Sequence, residues 1–407
     1  MKLLIFYNLY IIFFQLIAII KCQQYIPKGR TYHSAILVGT KIYFIGGLDS
    51  LNLLTHDFFY LDISKSFNKT VEPLPLTDWS DKASEIPDHY GAATTALKEL
   101  IFLIGGDIGA FETEYIYTYS FNTTELIWKA VPVSKFAYFV QRRRFSNAIA
   151  NNDKIYLFGG GMLSGMTAEY VYFNMDIFDN INKIWINKTI GTIAGREGHT
   201  GTFLFNTGEI IYIGGHGKDG LIDMTNLDVY NTIKDEWNKL STKNPPEQRY
   251  LHTAVLTKNN RIIIFGGIVN GNNQPVNNYY VVLNIKSLEW YHGNTNLSTI
   301  APFMGHTATL VDDYMFIAFG NIYTKPVSND ILIYKIGDYA NFSEVNYFKI
   351  AVPKNNTIKV VIISSVLSGI LVIVVVVVVI RFRRKSRDNP EFLGIQPPRS
   401  IPADLFS

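Results

Sequence analysis

A chain of 407 residues with 17% charged and 14% aromatic residues is too apolar to be disordered and too long for one small core. Its net charge of +3 comes from one end: residues 381–407 hold six Lys/Arg against three Asp/Glu, and without them and the two lysines of 1–22 there remain 29 basic and 31 acidic residues. That excludes a basic nucleic-acid surface on the bulk of the chain. The single cysteine, Cys22, excludes an internal disulfide.

The chain begins MKLLIFYNLYIIFFQLIAIIKC, a basic residue followed by an apolar run. This predicts a secretory signal over 1–22, with cleavage after Cys22. A repeat follows. The double glycine recurs after an apolar run at YFIGG (43–47), FLIGG (102–106), YLFGG (156–160), YIGG (212–215) and IIFGG (263–267). The glycine pairs are Gly46–Gly47, Gly105–Gly106, Gly159–Gly160, Gly214–Gly215 and Gly266–Gly267; a sixth copy, FIAFGN, is read as Gly320 followed by Asn321.

Upstream of each pair lies a second element: RTYHSA (30–35), REGHTG (196–201), RYLHTA (249–254) and FMGHTA (303–308), with degenerate copies DHYGAA (88–93) and RRFSNA (143–148). Their first residues are spaced 58, 55, 53, 53 and 54 apart. Arg30, Arg196 and Arg249 open three copies; His33, His199, His252 and His306 stand at the fourth position of theirs. Downstream, Phe121/Trp128, Phe178/Trp185, Tyr230/Trp237 and Leu283/Trp290 each lie seven apart.

Six units of this length, each with short strands, predict an all-β, six-bladed propeller over 23–350, with blades starting near 30, 88, 143, 196, 249 and 303. The continuous apolar run is expected to be a strand covered on both faces. The glycines let the chain turn and a neighbouring blade approach. The motif set resembles kelch repeats: the R-x-x-H-S/T-A start, the run ending in GG, the spaced aromatic and the Trp. What the resemblance implies is a kelch-type propeller with Trp128, Trp185, Trp237 and Trp290 filling gaps between blades. The recurring Arg and His are read as hydrogen-bonding partners of turns rather than one catalytic set. NYFKIAV (346–352) is the candidate for the last outer strand.

The propeller also resembles that of galactose oxidase-like copper enzymes, attractin and muskelin. The copper radical site of the first implies a Cys–Tyr thioether. No cysteine lies beyond residue 22, so that cofactor cannot be built here. No catalytic residue, cofactor or metal site is therefore expected. GHGKDG (215–220) has dinucleotide-loop spacing, but a strand rather than a helix is expected after it. Arg142–Arg144 is read as a solvated crossover, with Arg143 in the blade-start position.

After a stalk at 351–359, residues 360–380 form 21 positions without a charge, then RFRRKSR. At ~1.5 Å per residue such a helix spans about 31 Å, a hydrocarbon core. Positive flanks stay cytoplasmic. The expected layout is single-pass type I, resembling the membrane-anchored kelch proteins of filamentous fungi: propeller outside or in a secretory lumen, tail (381–407) in the cytoplasm. Sequons at Asn68, Asn122, Asn187, Asn296, Asn341 and Asn355 agree with that topology. The function expected is binding of a protein or glycan, with no nucleic acid as partner; the alternative is a carbohydrate-active or oxidising enzyme of the galactose oxidase-like type, disfavoured by the missing cysteine. The ligand-facing candidates are the variable segments after each glycine pair, with Leu51, Leu53, Phe111, Met162 and Met166 as exposed apolar contacts.

Overall fold

The computed structural model describes residues 24–109, 116–133, 140–161, 171–188, 193–269, 273–293, 300–323 and 327–351. The expected leader, the apolar run 360–380 and the tail lie outside the described residues, as do Phe111, Met162, Met166, Asn296 and Asn355. No helix among the described residues is long and apolar enough to cross a membrane.

Six antiparallel sheets follow one another in chain order. Blade 3 shows the plan: Asn147–Asn151, Lys154–Phe158, Met175–Asp179 and Ile184–Lys188 pair in sequence. The first strands are innermost. Ser34–Val38 touches Ala93–Leu97 and Thr307–Val311, and the contacts run through every first strand and back. That closes a six-bladed ring around an axis. The second strands, such as Lys41–Asp49, are buried almost throughout, because a blade packs on each side.

The core is divided by seams. Each of the six junctions between blades holds an apolar cluster. Trp128, Trp185, Trp237 and Trp290 each enter the cluster shared with the preceding blade. Phe342 does this in blade 6, its ring 4.9 Å from Tyr334. Blade 1 has no Trp at that place, and its outer strand, Leu76–Asp78, contributes Leu76 to the last seam. Trp79, just beyond that strand, meets Tyr60 edge-on at 4.6 Å.

Three expectations are corrected. NYFKIAV supplies no outer strand: blade 6 is completed by Phe342–Val345, and Tyr347–Phe348 pairs instead with Phe67–Asn68, in the connection before the last strand of blade 1. All six blades are therefore built from consecutive strands. In blade 6 the glycine pair is Phe319–Gly320, not Gly320–Asn321. Phe319 has φ +59, close to the first glycines (Gly214 +61, Gly105 +68), and Gly320 at +85 lies nearest the second (Gly106 +91). The first position is ordinary left-handed helix, which a side chain can adopt at a cost; the second lies beyond it. Finally, blade 2 starts one residue later than its motif suggests. His89, not Asp88, stands where Arg30, Arg143, Arg196, Arg249 and Phe303 stand, because these six carbonyls accept equivalent bonds from the second glycines.

Candidate functional site

The connection entering each first strand and the segment leaving each second strand emerge on the same face of an antiparallel blade. On that face the structure sets three nested rings of equivalent residues.

The outermost comprises the residues at the Arg30 position. Arg30, Arg143, Arg196 and Arg249 are no more than 2% exposed. With Arg142 at 3%, the expected solvated crossover Arg142–Arg144 is instead largely buried, because Arg143 turns onto its own blade. Arg30, Arg143 and Arg249 each donate to the carbonyl of the first glycine of their own blade, at 3.2, 3.2 and 3.1 Å. Arg30 also pairs with Asp57 at 2.8 Å, Arg143 with Asp176 at 2.8 Å, and Arg196 with Asp228. These acids were not singled out from the sequence. Asp176 and Asp228 could have been: each lies two residues before the third-strand aromatic, Phe178 and Tyr230.

The next ring comprises Thr31, Tyr90, Arg144, Glu197, Tyr250 and Met304. Each bridges to the residue after the glycine pair of its own blade, such as Asp107 for Tyr90 and His216 for Glu197. Between blades 2 and 4 this ring is ionic. Arg144 Nη1 donates to Tyr90 Oη at 2.6 Å and lies 3.7 Å from Asp107, and its Nε lies 4.0 Å from Glu197. Tyr90 Oη donates to Asp107 at 3.2 Å.

The innermost ring is Tyr32, Gly91, Phe145, Gly198, Leu251 and Gly305. All six are left-handed, with φ between +53 and +67. Each amide from Tyr32 to Leu251 donates to the carbonyl of the preceding member: Tyr32 to Gly305 at 2.8 Å, Gly91 to Tyr32 at 2.8 Å, Phe145 to Gly91 at 2.8 Å, Gly198 to Phe145 at 3.0 Å and Leu251 to Gly198 at 2.7 Å. Glycine alternates with a large side chain for a packing reason. A Cβ on Gly91 would lie 2.9 Å from the Phe145 ring, and one on Gly198 would lie 3.1 Å from Leu251 Cδ2. Tyr32, Phe145 and Leu251 are half-buried at the mouth, with Tyr32 and Phe145 rings 5.1 Å apart.

Behind this ring stand the histidines. His33 Nε2 shares a hydrogen bond with Thr307 Oγ1 at 2.9 Å, His252 with Thr200 at 3.1 Å and His306 with Thr253 at 3.0 Å, each reaching the preceding blade. Burial pushes all four down: His33 and His199 well below the usual 6.5, with Arg30 and Arg196 adding repulsion, and His252 and His306 to about 3. They are neutral at physiological pH. Together with the innermost ring they line a cavity of about 150 Å³ at the mouth of the central channel. No group of three or more His, Cys, Asp or Glu suited to a metal ion occurs among the described residues.

The family model for the KLHDC2/KLHL20/DRC7 Kelch-repeats domain matches residues 9–161 and 198–367. The chain belongs to this kelch-repeat family. Kelch domain-containing protein 1 of Homo sapiens is 24% identical over 268 residues, 60% of this chain and 62% of that protein. Protein tag-53 of Caenorhabditis elegans is 29% identical over 152 residues, 34% of this chain and 11% of that protein. A protein of Thlaspi arvense named N-(sulfonatooxy)prop-2-enimidothioate sulfolyase is 28% identical over 132 residues, 31% of this chain and 36% of that protein. The matches thus span less than two thirds of each relative. The solved structure of YjhT superposes with a TM-score of 0.60 at 14% identity, covering 79% of this kelch chain and 99% of YjhT. That likeness shows the fold alone.

Of the sequence-based contact candidates, Leu51 and Leu53 are 74% and 58% exposed, at the rim after the first glycine pair. The inner ring of the mouth was not singled out. Nothing in their side chains marks Tyr32, Phe145 and Leu251 as left-handed.

Proposed function

We propose that this kelch protein is a membrane-anchored binding module whose propeller faces the outside or a secretory lumen and takes a protein or glycan partner at the mouth of its channel, without chemistry of its own. One observation carries the binding reading. Tyr32, Phe145 and Leu251 hold left-handed backbone, where a residue with a side chain costs roughly 1–2 kcal/mol over glycine. Gly91, Gly198 and Gly305 occupy the equivalent positions. Three strained positions spent on apolar side chains at one mouth, beside the Arg144–Asp107–Glu197 cluster, suit recognition. The apolar leader, the run 360–380 and the RFRRKSR flank support the anchoring.

The test is the triple variant Tyr32→Gly, Phe145→Gly, Leu251→Gly, assayed with Arg144→Glu on arrays of extracellular protein domains and glycans. Array ligands of the parent chain should be lost in both variants while melting stays within a few degrees. Ligands retained by both would move the interaction elsewhere. A second, enzymatic reading is favoured only by the relative named as a sulfolyase. Turnover of a sulfated thiohydroximate by the purified chain would replace the binding reading.

A further inference from the structure

The junction between blades 3 and 4 departs from the pattern of the three junctions that follow it. The junctions 4–5, 5–6 and 6–1 each carry a His–Thr bond. At 3–4 the histidine is present as His199, but the threonine position holds Asn147. Neither ring nitrogen of His199 has a hydrogen-bond partner among the described residues. The same holds for Asn147 Oδ1, Ser146 Oγ and Tyr212 Oη. His199 is 5% exposed and Tyr212 fully buried. Such groups normally find partners, since leaving one unmade costs about 1–3 kcal/mol.

Two further features show that the junction is adapted rather than merely irregular. A Cβ on residue 201 would lie 2.3 Å from Asn147 Oδ1, and Gly201 stands there where Ala35, Ala148, Ala254 and Ala308 stand in other blades. Glycine makes the room that asparagine needs. Ser146 and His199 both line the cavity at the mouth, as do Tyr32 and Phe145. The cavity, about 150 Å³, is large enough to hold several waters or a small ligand. His199 is neutral, held so by burial and by Arg196 beside it. A ligand here meets groups that can donate and accept but no counter-charge.

We propose that Ser146 and His199, the latter left unlatched by Asn147, form a subsite for one neutral, hydroxyl-rich ligand, a small polyol or a terminal sugar unit, with the Tyr32 and Phe145 rings as its apolar wall. Hydroxyls satisfy the unpartnered donors and acceptors, and the C–H face of the ligand lies on the aromatic side. The inference deepens the binding reading by naming a ligand class.

The experiment uses the full chain and ligand-detected NMR with glycerol, glucose, galactose, mannose and N-acetylglucosamine as probes. At least one should bind, with unchanged affinity between pH 6 and pH 8. Asn147→Thr installs the residue the latched junctions have, and should form a fourth His–Thr bond with His199. It should keep or raise the melting temperature and weaken the probe at least tenfold. Ser146→Ala should weaken it severalfold. The triple glycine variant, which keeps the polar pair, should weaken but not abolish it. No binding by any probe, or binding unaffected by both Asn147→Thr and Ser146→Ala, overturns the subsite. Loss of the array partners in the mouth variants would still stand in that case, so the two readings fail separately.

Discussion

The amide of Gly320 donates to the carbonyl of Arg30 at 2.8 Å, joining the last blade to the first. The same bond recurs between Gly47 and His89, Gly106 and Arg143, Gly160 and Arg196, Gly215 and Arg249, and Gly267 and Phe303. Six equivalent bonds tie each blade to the next. A side chain at Gly320 has no room: its Cβ would lie 2.7 Å from the His306 backbone nitrogen, at φ +85. Gly320→Ala should therefore lower the melting temperature by several degrees. Phe319→Gly, at the permissive first position, should trade relieved strain against lost contact with His33, 5.1 Å away, and cost less. Calorimetry of both variants checks the order; a larger loss for Phe319→Gly would show that packing outweighs the glycine requirement.

Arg143 and Asp176 form an ion pair in which neither side chain is more than 1% exposed. Removing one partner leaves a buried charge, at about 3–5 kcal/mol. Arg143→Met should show that loss in urea unfolding. Arg143→Met with Asp176→Leu should recover part of it, because the stranded carboxylate is gone. An additive double variant would mean that the two groups do not communicate.

Trp290 is 2% exposed, and its Nε1 donates to Thr242 Oγ1 at 3.0 Å. Trp237 is only half-buried, against Phe158, Tyr212 and Tyr230. Trp290→Ala should cost about 3–5 kcal/mol and Trp237→Ala clearly less. Equal losses in denaturant titrations would refute the ranking.

The buried histidines predict acid sensitivity. His252 and His306 titrate at about 3 in the folded chain, against about 6.5 unfolded. Between those values the unfolded chain binds more protons, so stability rises with pH there. The contribution is complete above about 6.5 and is lost as pH falls toward 3. The melting temperature should be flat near neutrality and fall below that point. His306→Gln should flatten the slope; an unchanged slope would assign the acid loss to carboxylates.

If the chain enters the secretory pathway, the sequons should differ in occupancy. Asn341 is exposed. Asn187 Nδ2 donates to the buried Asp176 Oδ1 at 2.8 Å, so a glycan there would break that bond. Glycopeptide mass spectrometry of the secreted ectodomain should find Asn341 modified and Asn187 bare. Full occupancy of Asn187 would contradict this order.

The glycine pairs and tryptophans made the blades legible, because close approach and seam filling demand those residue types. The start of blade 2 was misread because His89 replaces the arginine and shifts the apparent motif. Ring closure was illegible for a related reason: the outer strand of blade 1 is only LTD, and its Trp79 follows the strand instead of lying seven residues after the third-strand aromatic. At the mouth, the alternation Tyr, Gly, Phe, Gly, Leu, Gly is visible in the chain, but its meaning rests on a shared backbone conformation that Tyr, Phe and Leu do not advertise. The free polar groups at Asn147 and His199 depend on which residue faces which across a seam, information that only the closed ring supplies.

Because every blade is made of consecutive strands, synthesis and folding can proceed in the same direction. Each sheet needs only residues already made, all from one continuous stretch of the chain. The seam between blades 6 and 1 differs: Phe44 and Phe59 must wait for Phe319, nearly the whole domain later, to be covered. Loop closure over that distance grows only logarithmically in entropic cost, but such distant pairings are slow. A nascent chain is thus an open arc with an apolar edge until Tyr347–Phe348 reaches Phe67–Asn68. During that interval the unsealed edge is the part of the molecule most open to chaperones and to mispairing with a second copy.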